Sequence, residues 1–186
     1  NTLKNEGIEN SKQISVLSIG DIMKDSARMF SSNLKPIDDQ NIKILCTIHR
    51  QENVQNKKML SELISAMNQL SKKYQIIFPL HPSTRKWITK FGIKIDFLPT
   101  EPIGFIEMLN AINSSSIVLT DSGGLQKEAY YLEKPCITLR TETEWIELLE
   151  DGCNTLIGKN INDLTRLVEN KLSSSLSFNN NIYGDG

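Results

Sequence analysis

The segment Thr120-Asp121-Ser122-Gly123-Gly124-Leu125-Gln126-Lys127-Glu128-Ala129 follows the apolar run Ile117–Leu119 and opens a helical pattern. A strand, a Ser-Gly-Gly turn and a helix start together make an anion site. Glycines let backbone N–H groups come close to a ligand, and the helix N-terminus adds partial positive charge. Ser122 adds a hydroxyl. Glu128 lies one helical turn past Gly124 on the same face, where its carboxylate can accept hydrogen bonds from two ribose hydroxyls. The same residues also fit an ordinary strand-to-helix turn capped by Ser122. Neither GxxxxGK[ST] nor GxGxxG occurs, so the turn is neither a Walker loop nor a dinucleotide fingerprint, and ATP and NAD are disfavoured.

Three other segments carry similar chemistry. Thr47-Ile48-His49-Arg50-Gln51-Glu52-Asn53 follows the apolar run Ile42–Ile48. A His-Arg pair there can grip a phosphate, and His49 can transfer a proton near neutral pH. Leu80-His81-Pro82-Ser83-Thr84-Arg85 repeats the pattern with His81 and Arg85, although Pro82 and Ser83 also read as a plain helix start. In Arg140-Thr141-Glu142-Thr143-Glu144-Trp145, Arg140 can hold a diphosphate bidentately and Thr143 can offer a hydroxyl. Glu142 and Glu147 read as a solvated acidic face. Phe105 either packs on a base or joins the core at a helix start. The two histidines, His49 and His81, have no carboxylate or cysteine clustered beside them, so no metal site is expected. No G-x-S-x-G elbow occurs, and a serine hydrolase is unsupported. Four anion-friendly segments point together to a phosphorylated ligand.

These segments need elements to hold them at one edge. Strand-like runs are expected at Ile14–Ile19, Ile42–Ile48, Gln75–Leu80, Ile93–Leu98, Ile117–Thr120, Cys136–Leu139 and Thr155–Ile157. Helical patterns lie between them. The clearest has Met59, Leu60, Leu63, Ile64, Met67 and Leu70 on one face, and another has Ile161, Leu164, Leu167, Val168 and Leu172. Strands alternating with single helices, each strand nearly continuously apolar, predict an α/β domain with a doubly wound, Rossmann-like parallel sheet. Its ligand site should lie beyond the carboxyl ends of the strands, where all four segments fall.

Composition narrows the rest. Lys plus Arg number 21 and Asp plus Glu 22, a net charge of −1, which offers no excess to hold nucleic acid. Cys46, Cys136 and Cys153 form no CxxC pair and read as free, buried thiols in a reducing compartment. No apolar run approaches the ~20 residues of a membrane span. A cytoplasmic piece of something longer is expected. Its divisions are an interdomain connection with the first strand at 1–20, a ligand-binding domain at 21–172, and a polar loop at 173–186 leading to a truncated C-terminal segment.

Thr47–Asn53 resembles the THRxEN segment of the non-hydrolysing UDP-N-acetylglucosamine 2-epimerases, and Leu119–Ala129 resembles their LTDSGGxQEEA. Lys134–Gly158 follows the same family's KP…R…TE…E…G.N.L.G spacing, Asn1–Gly7 resembles its NLLKEG, Ile19–Asp25 its VGN..iDa stretch, and Tyr183–Gly186 its NPYGDG. The resemblance implies the second, UDP-binding half of a GT-B fold, with a UDP-sugar between two Rossmann-like domains. It implies that His49 contacts the diphosphate and assists its departure. Arg50, Ser122, Gly123, Gly124 and Arg140 would hold phosphate oxygens, Glu128 the ribose and Phe105 the uracil, with Thr143 and Glu144 near the phosphates. His81, Arg85 and Glu52 are further candidates. No cofactor is implied. The reaction implied is elimination of UDP and its readdition, interconverting UDP-N-acetylglucosamine and UDP-N-acetylmannosamine, with the catalytic carboxylates on a first domain that has no counterpart here.

This chain alone is therefore expected to be inactive, and the full-length protein to be a homodimer. Where the family often has TERPE, this chain has Thr143-Glu144-Trp145-Ile146-Glu147, which puts the local phosphate contacts in question. The alternatives are a UDP-sugar glycosyltransferase domain of GT-B type and a noncatalytic UDP-sugar-binding module.

Overall fold

The computed structural model describes residues 2–8, 13–17, 19–31, 34, 41–158, 160–179 and 182–184. In chain order the elements are α1 (Thr2–Asn5), α2 (Ile22–Ser31), β1 (Lys43–Thr47), α3 (Gln51–Val54), α4 (Lys57–Leu70), β2 (Gln75–Ile77), α5 (Pro82–Phe91) and α6 (Phe105–Ser114). They continue with β3 (Ile117–Thr120), α7 (Gly123–Tyr131), β4 (Cys136–Thr138), α8 (Ile146–Glu150), β5 (Asn154–Leu156), a 3-10 turn at Ile161–Asp163 and α9 (Leu164–Ser173). The five strands lie in the order β2-β1-β3-β4-β5, and every pairing is parallel.

Side chains alternate between the two faces of this sheet, as the strand period of two requires. Ile44, Cys46, Ile117, Leu119 and Ile137 point to one face, where Leu60, Leu63, Ile64 and Met67 of α4 and Leu164 and Val168 of α9 cover them. Leu45, Val118 and Cys136 point to the other, beneath Leu109 and Ile112 of α6 and Leu125 and Ala129 of α7. Both faces are thus dry, and each fully buried aliphatic side chain contributes about 1.5–3 kcal/mol. Asn56 caps α4 by accepting a hydrogen bond from the Met59 amide at 3.1 Å. Gly92 ends α5 in the left-handed conformation (φ 64°), which costs glycine little.

Two expected strands are not formed. Residues 93–98 run as an irregular segment, and only an isolated bridge between Pro79 and Thr100 follows β2. The apolar side chains Ile93, Ile95 and Phe97 pack against the core without a strand partner, so their pattern reports burial and not pairing. Residues 14–17 and 19 are also outside any strand. Leu17 and Ile19 are 77% and 76% exposed, so these two are not covered as in a sheet; Ser18 of that expected strand lies outside the described residues. The C-terminal tail is more attached than a polar linker. Phe178, Ile182 and Tyr183 pack on Tyr130 of α7, while Asn180, Asn181, Asp185 and Gly186 lie outside the described residues.

Candidate functional site

Strand register brings the site together. Thr47, Thr120 and Thr138 are paired neighbours at the carboxyl ends of β1, β3 and β4. The hydroxyls of Thr47 and Thr120 share a 2.6 Å hydrogen bond. Within two residues of those threonines come His49, Asp121 with Ser122, and Arg140, so three of the four segments open onto one edge.

Asp121 ties two of them. Its side chain is fully buried, and its carboxylate accepts from the His49 amide (3.1 and 3.0 Å to the two oxygens), the Arg50 amide (2.9 Å) and Asn53 Nδ2 (3.0 Å). His49 Nδ1 lies 3.2 Å from Asp121 Oδ1. Arg50 Nε donates to the Asp121 carbonyl at 3.3 Å, and Asn53 Nδ2 also reaches the Leu139 carbonyl at 2.9 Å. Asp121 and Asn53 were not among the expected site residues. The signal was an acid directly after a strand end with no base near it in sequence. Such a residue is affordable in a buried position only where several donors converge on it.

Ser122 is the N-cap of α7 and its hydroxyl accepts from the Leu125 amide at 3.4 Å. The amides of Gly123 and Gly124, in the first turn, have no intrahelical acceptor and carry the positive end of the helix dipole. A Cβ at Gly123 would stand 3.5 Å from Glu144 Oε2 and 3.8 Å from Arg50 Nη2, in ordinary contact, so both side chains reach the edge of this turn. Beside this turn is a cleft of about 160 Å³ lined by Thr47, His49, His81, Ile103 and Ser122, among others. The rings of His49 and His81 are 6.2 Å apart across it.

Arg140 is already paired. Its Nη1 donates to both Glu144 oxygens at 3.0 Å, and its Nε is 3.4 Å from Glu52 Oε1 without an aligned hydrogen bond. Burial pushes the guanidinium pKa down, but Glu144 and Glu52 outweigh it and leave it raised. Glu144 is lowered, by its own backbone amide first and by Arg140 against the opposing effect of burial. As Arg140's partner, Glu144 is a competitor for an anion and not a donor to one. Thr143 donates its hydroxyl to Gln126 at 2.6 Å and accepts from the Trp145 amide at 3.1 Å, so that hydroxyl is engaged within the protein. His81 caps α5, its Nδ1 accepting from the Ser83 amide at 3.2 Å. Arg85 pairs on the surface with Glu101 at 2.8 Å. Phe105 starts α6, 46% exposed and edge-on to Phe30 at 5.7 Å. Glu128 is half-buried on α7 and meets no partner among the described residues; burial raises its pKa. Among the described residues no cluster of three or more His, Cys, Asp or Glu side chains is arranged to hold a metal, and no helix is long and apolar enough to cross a membrane.

Comparison with known proteins places this geometry in context. Residues 1–186 match the UDP-N-acetylglucosamine 2-epimerase family throughout. The UDP-2,3-diacetamido-2,3-dideoxy-D-glucuronate 2-epimerase of Pseudomonas aeruginosa is 37% identical over 99% of this chain and 53% of its own length. The UDP-N-acetylglucosamine 2-epimerase of Methanocaldococcus jannaschii is 34% identical over the whole chain and 55% of its own length. The crystal structure of the Methanocaldococcus jannaschii UDP-GlcNAc 2-epimerase in complex with UDP-GlcNAc and UDP superposes with a TM-score of 0.81 and 32% identity, over 99% of this chain and 54% of that one. The Escherichia coli heptosyltransferase WaaC with ADP shares the fold alone, at a TM-score of 0.54 and 15% identity over 78% of this chain and 48% of that one. The chain spans about half the length of the curated relatives it matches. With a Rossmann-like parallel sheet of the kind found in one half of a GT-B fold, and a match along its whole length, the chain belongs to the UDP-N-acetylglucosamine 2-epimerase family.

Proposed function

We propose that this chain is the UDP-gripping domain, residues 21–172, of an epimerase acting on UDP-N-acetylglucosamine or a related UDP-N-acetylhexosamine. The observation that carries the reading is the shared edge at which buried Asp121 holds His49 and Arg50 beside the open amides of Gly123 and Gly124. A diphosphate leaving a sugar carbon gains negative charge, and fixed donors aimed at its oxygens lower the barrier to departure. His49, Arg50 and the first turn of α7 supply such donors. Arg140 joins them by exchanging Glu144 for phosphate. The Glu128 carboxylate, half-buried and unpartnered, suits a ribose diol, and Phe105 offers an exposed ring to the base. His81 faces the same cleft, whereas Arg85 and Glu52 serve their ion pairs.

The reaction is elimination of UDP and readdition after proton exchange at the neighbouring carbon. On this reading the carboxylates that move that proton lie outside these residues, and the 186 residues alone bind UDP without turning it over. The named activity of the Pseudomonas aeruginosa relative widens the substrate class to diacetamido uronic acids. Calorimetric titration with UDP tests the reading. The wild-type chain should bind, and Glu128→Ala should weaken binding about tenfold or more, the loss of a hydrogen bond to a charged group. Equal affinity of both proteins for UDP, or none in either, refutes it.

A further inference from the structure

His49 carries two ring nitrogens, and the protein decides which one holds the proton. Nδ1 lies 3.2 Å from Asp121 Oδ1, within ion-pair distance but without an aligned hydrogen bond, and the Asp121 carboxylate is fully buried while the His49 side chain is 39% exposed. The edge of the ring bearing Nδ1 is therefore turned into the protein, and the edge bearing Nε2 toward the cleft that His49 lines. An ionised carboxylate only accepts hydrogen bonds, so at this distance it favours the neutral tautomer whose proton is on Nδ1. We infer that Asp121 is a positioning residue that fixes the proton of a neutral His49 on Nδ1 and so leaves Nε2 as the ligand-facing atom, the one that donates to the diphosphate oxygens in the imidazolium form. This rests on the reading of the edge as the diphosphate site, and it assigns the atom through which His49 acts there.

Asp121 could instead be only a clamp between two loops. Its other donors, the amides of His49 and Arg50 and Asn53 Nδ2, already join β1 to β3. The roles separate on substitution. In Asp121→Asn the carboxamide oxygen must stay where the Arg50 amide and Asn53 Nδ2 both donate, at the Oδ2 position, so the NH₂ takes the Oδ1 position and faces the imidazole. There it donates to Nδ1 and forces the proton to Nε2. An Asp-to-Asn change beside a histidine has this effect in the serine-protease triad.

The experiment is ¹⁵N–¹H correlation NMR of the histidine side chains at a pH where His49 is neutral, with UDP as the probe ligand. In the wild-type chain the His49 signals should carry the Nδ1–H pattern. In Asp121→Asn, shown to be folded by circular dichroism, they should switch to Nε2–H, with UDP affinity reduced about tenfold. A wild-type Nε2–H pattern overturns the assignment, and so does an Nδ1–H pattern that survives in the variant. The wild-type spectrum decides by itself if the variant does not fold. Nδ1–H with no affinity for UDP sinks the nucleotide reading and upholds the tautomer, whereas bound UDP beside an Nε2–H imidazole does the reverse.

Discussion

The Lys127 ammonium lies 4.3 Å from the centre of the Trp145 ring, and the Trp145 indole N–H donates to the Gly123 carbonyl at 2.8 Å. The same ammonium lies 4.4 Å from the Tyr183 ring and pairs with Asp21, whose carboxylate also accepts from the Tyr131 hydroxyl. One cation of α7 thus joins Asp21 just before α2, the loop before α8 and the C-terminal tail, and through Trp145 it reaches the glycine turn at the candidate anion site. This chain has Trp145 and Ile146 at the centre of the segment that departs from the family's TERPE, and Trp145 fills that position with a ring that Lys127 can use. Burial pushes the Asp21 pKa up, but Lys127, Tyr131 and the Met23 amide outweigh it and hold it low.

Lys127→Met should be strongly destabilising. The lysine side chain is 7% exposed and Asp21 12%, so removing the cation strands a nearly buried carboxylate at a cost of about 3 kcal/mol. Urea unfolding measures this. The double variant Asp21→Asn with Lys127→Met should recover most of the loss, because no uncompensated charge remains. A loss in Lys127→Met below about 1 kcal/mol means that the pair is worth no more than a surface salt bridge.

Arg140 and Glu144 give an affinity prediction with opposite signs. Arg140→Ala removes a guanidinium available to phosphate and should weaken UDP binding about tenfold. Glu144→Gln frees Arg140 from its 3.0 Å carboxylate partner and removes a negative charge near Gly123, so it should tighten UDP severalfold. Titration of the two variants separates the roles. Weaker binding in Glu144→Gln would make Glu144 a ligand contact and not a competitor.

The sheet was legible because both its faces are buried. Ile44 through Thr47, Ile117 through Thr120 and Cys136 through Thr138 are continuous apolar or threonine runs, as a covered parallel strand requires. Residues 93–98 instead alternate Ile93, Ile95 and Phe97 with Lys94 and Asp96, and an alternation with one packed side does not distinguish packing from pairing. At the site, the glycine turn and His49 announce themselves by residue type. Asp121 does not, because an acid beside glycines reads as solvent-facing until tertiary structure brings the His49 and Arg50 amides and Asn53 onto it. The engagement of Thr143 by Gln126 and of Arg140 by Glu52 is likewise set by contacts distant in sequence.

The three thiols should be inert in the folded protein. Cys46, Cys136 and Cys153 are free and buried. Burial raises Cys46 well above its usual value and pushes Cys136 and Cys153 up to about 12. Thiolate is the reactive form, so labelling with iodoacetamide at pH 8 should be negligible in the native chain and reach all three in urea. Fast native labelling of any one would show that its segment opens locally.

Glu128 gives a pH dependence whose sign follows from burial. Burial raises its pKa above the usual 4.5, so the native state holds this proton more tightly than the unfolded chain does. Its contribution to stability is therefore fully present below that usual value and is lost as pH rises through the raised one. Glu128→Gln carries no such charge. At neutral pH the variant should be the more stable protein, and the gap should close as pH falls toward 4.5, with urea midpoints as the measure. Saturating UDP should reverse the order at neutral pH, because a ribose diol donating to the carboxylate rewards the ionised form that burial penalises. A wild-type advantage at neutral pH without ligand would mean that Glu128 has a partner within the protein and is not held open for one.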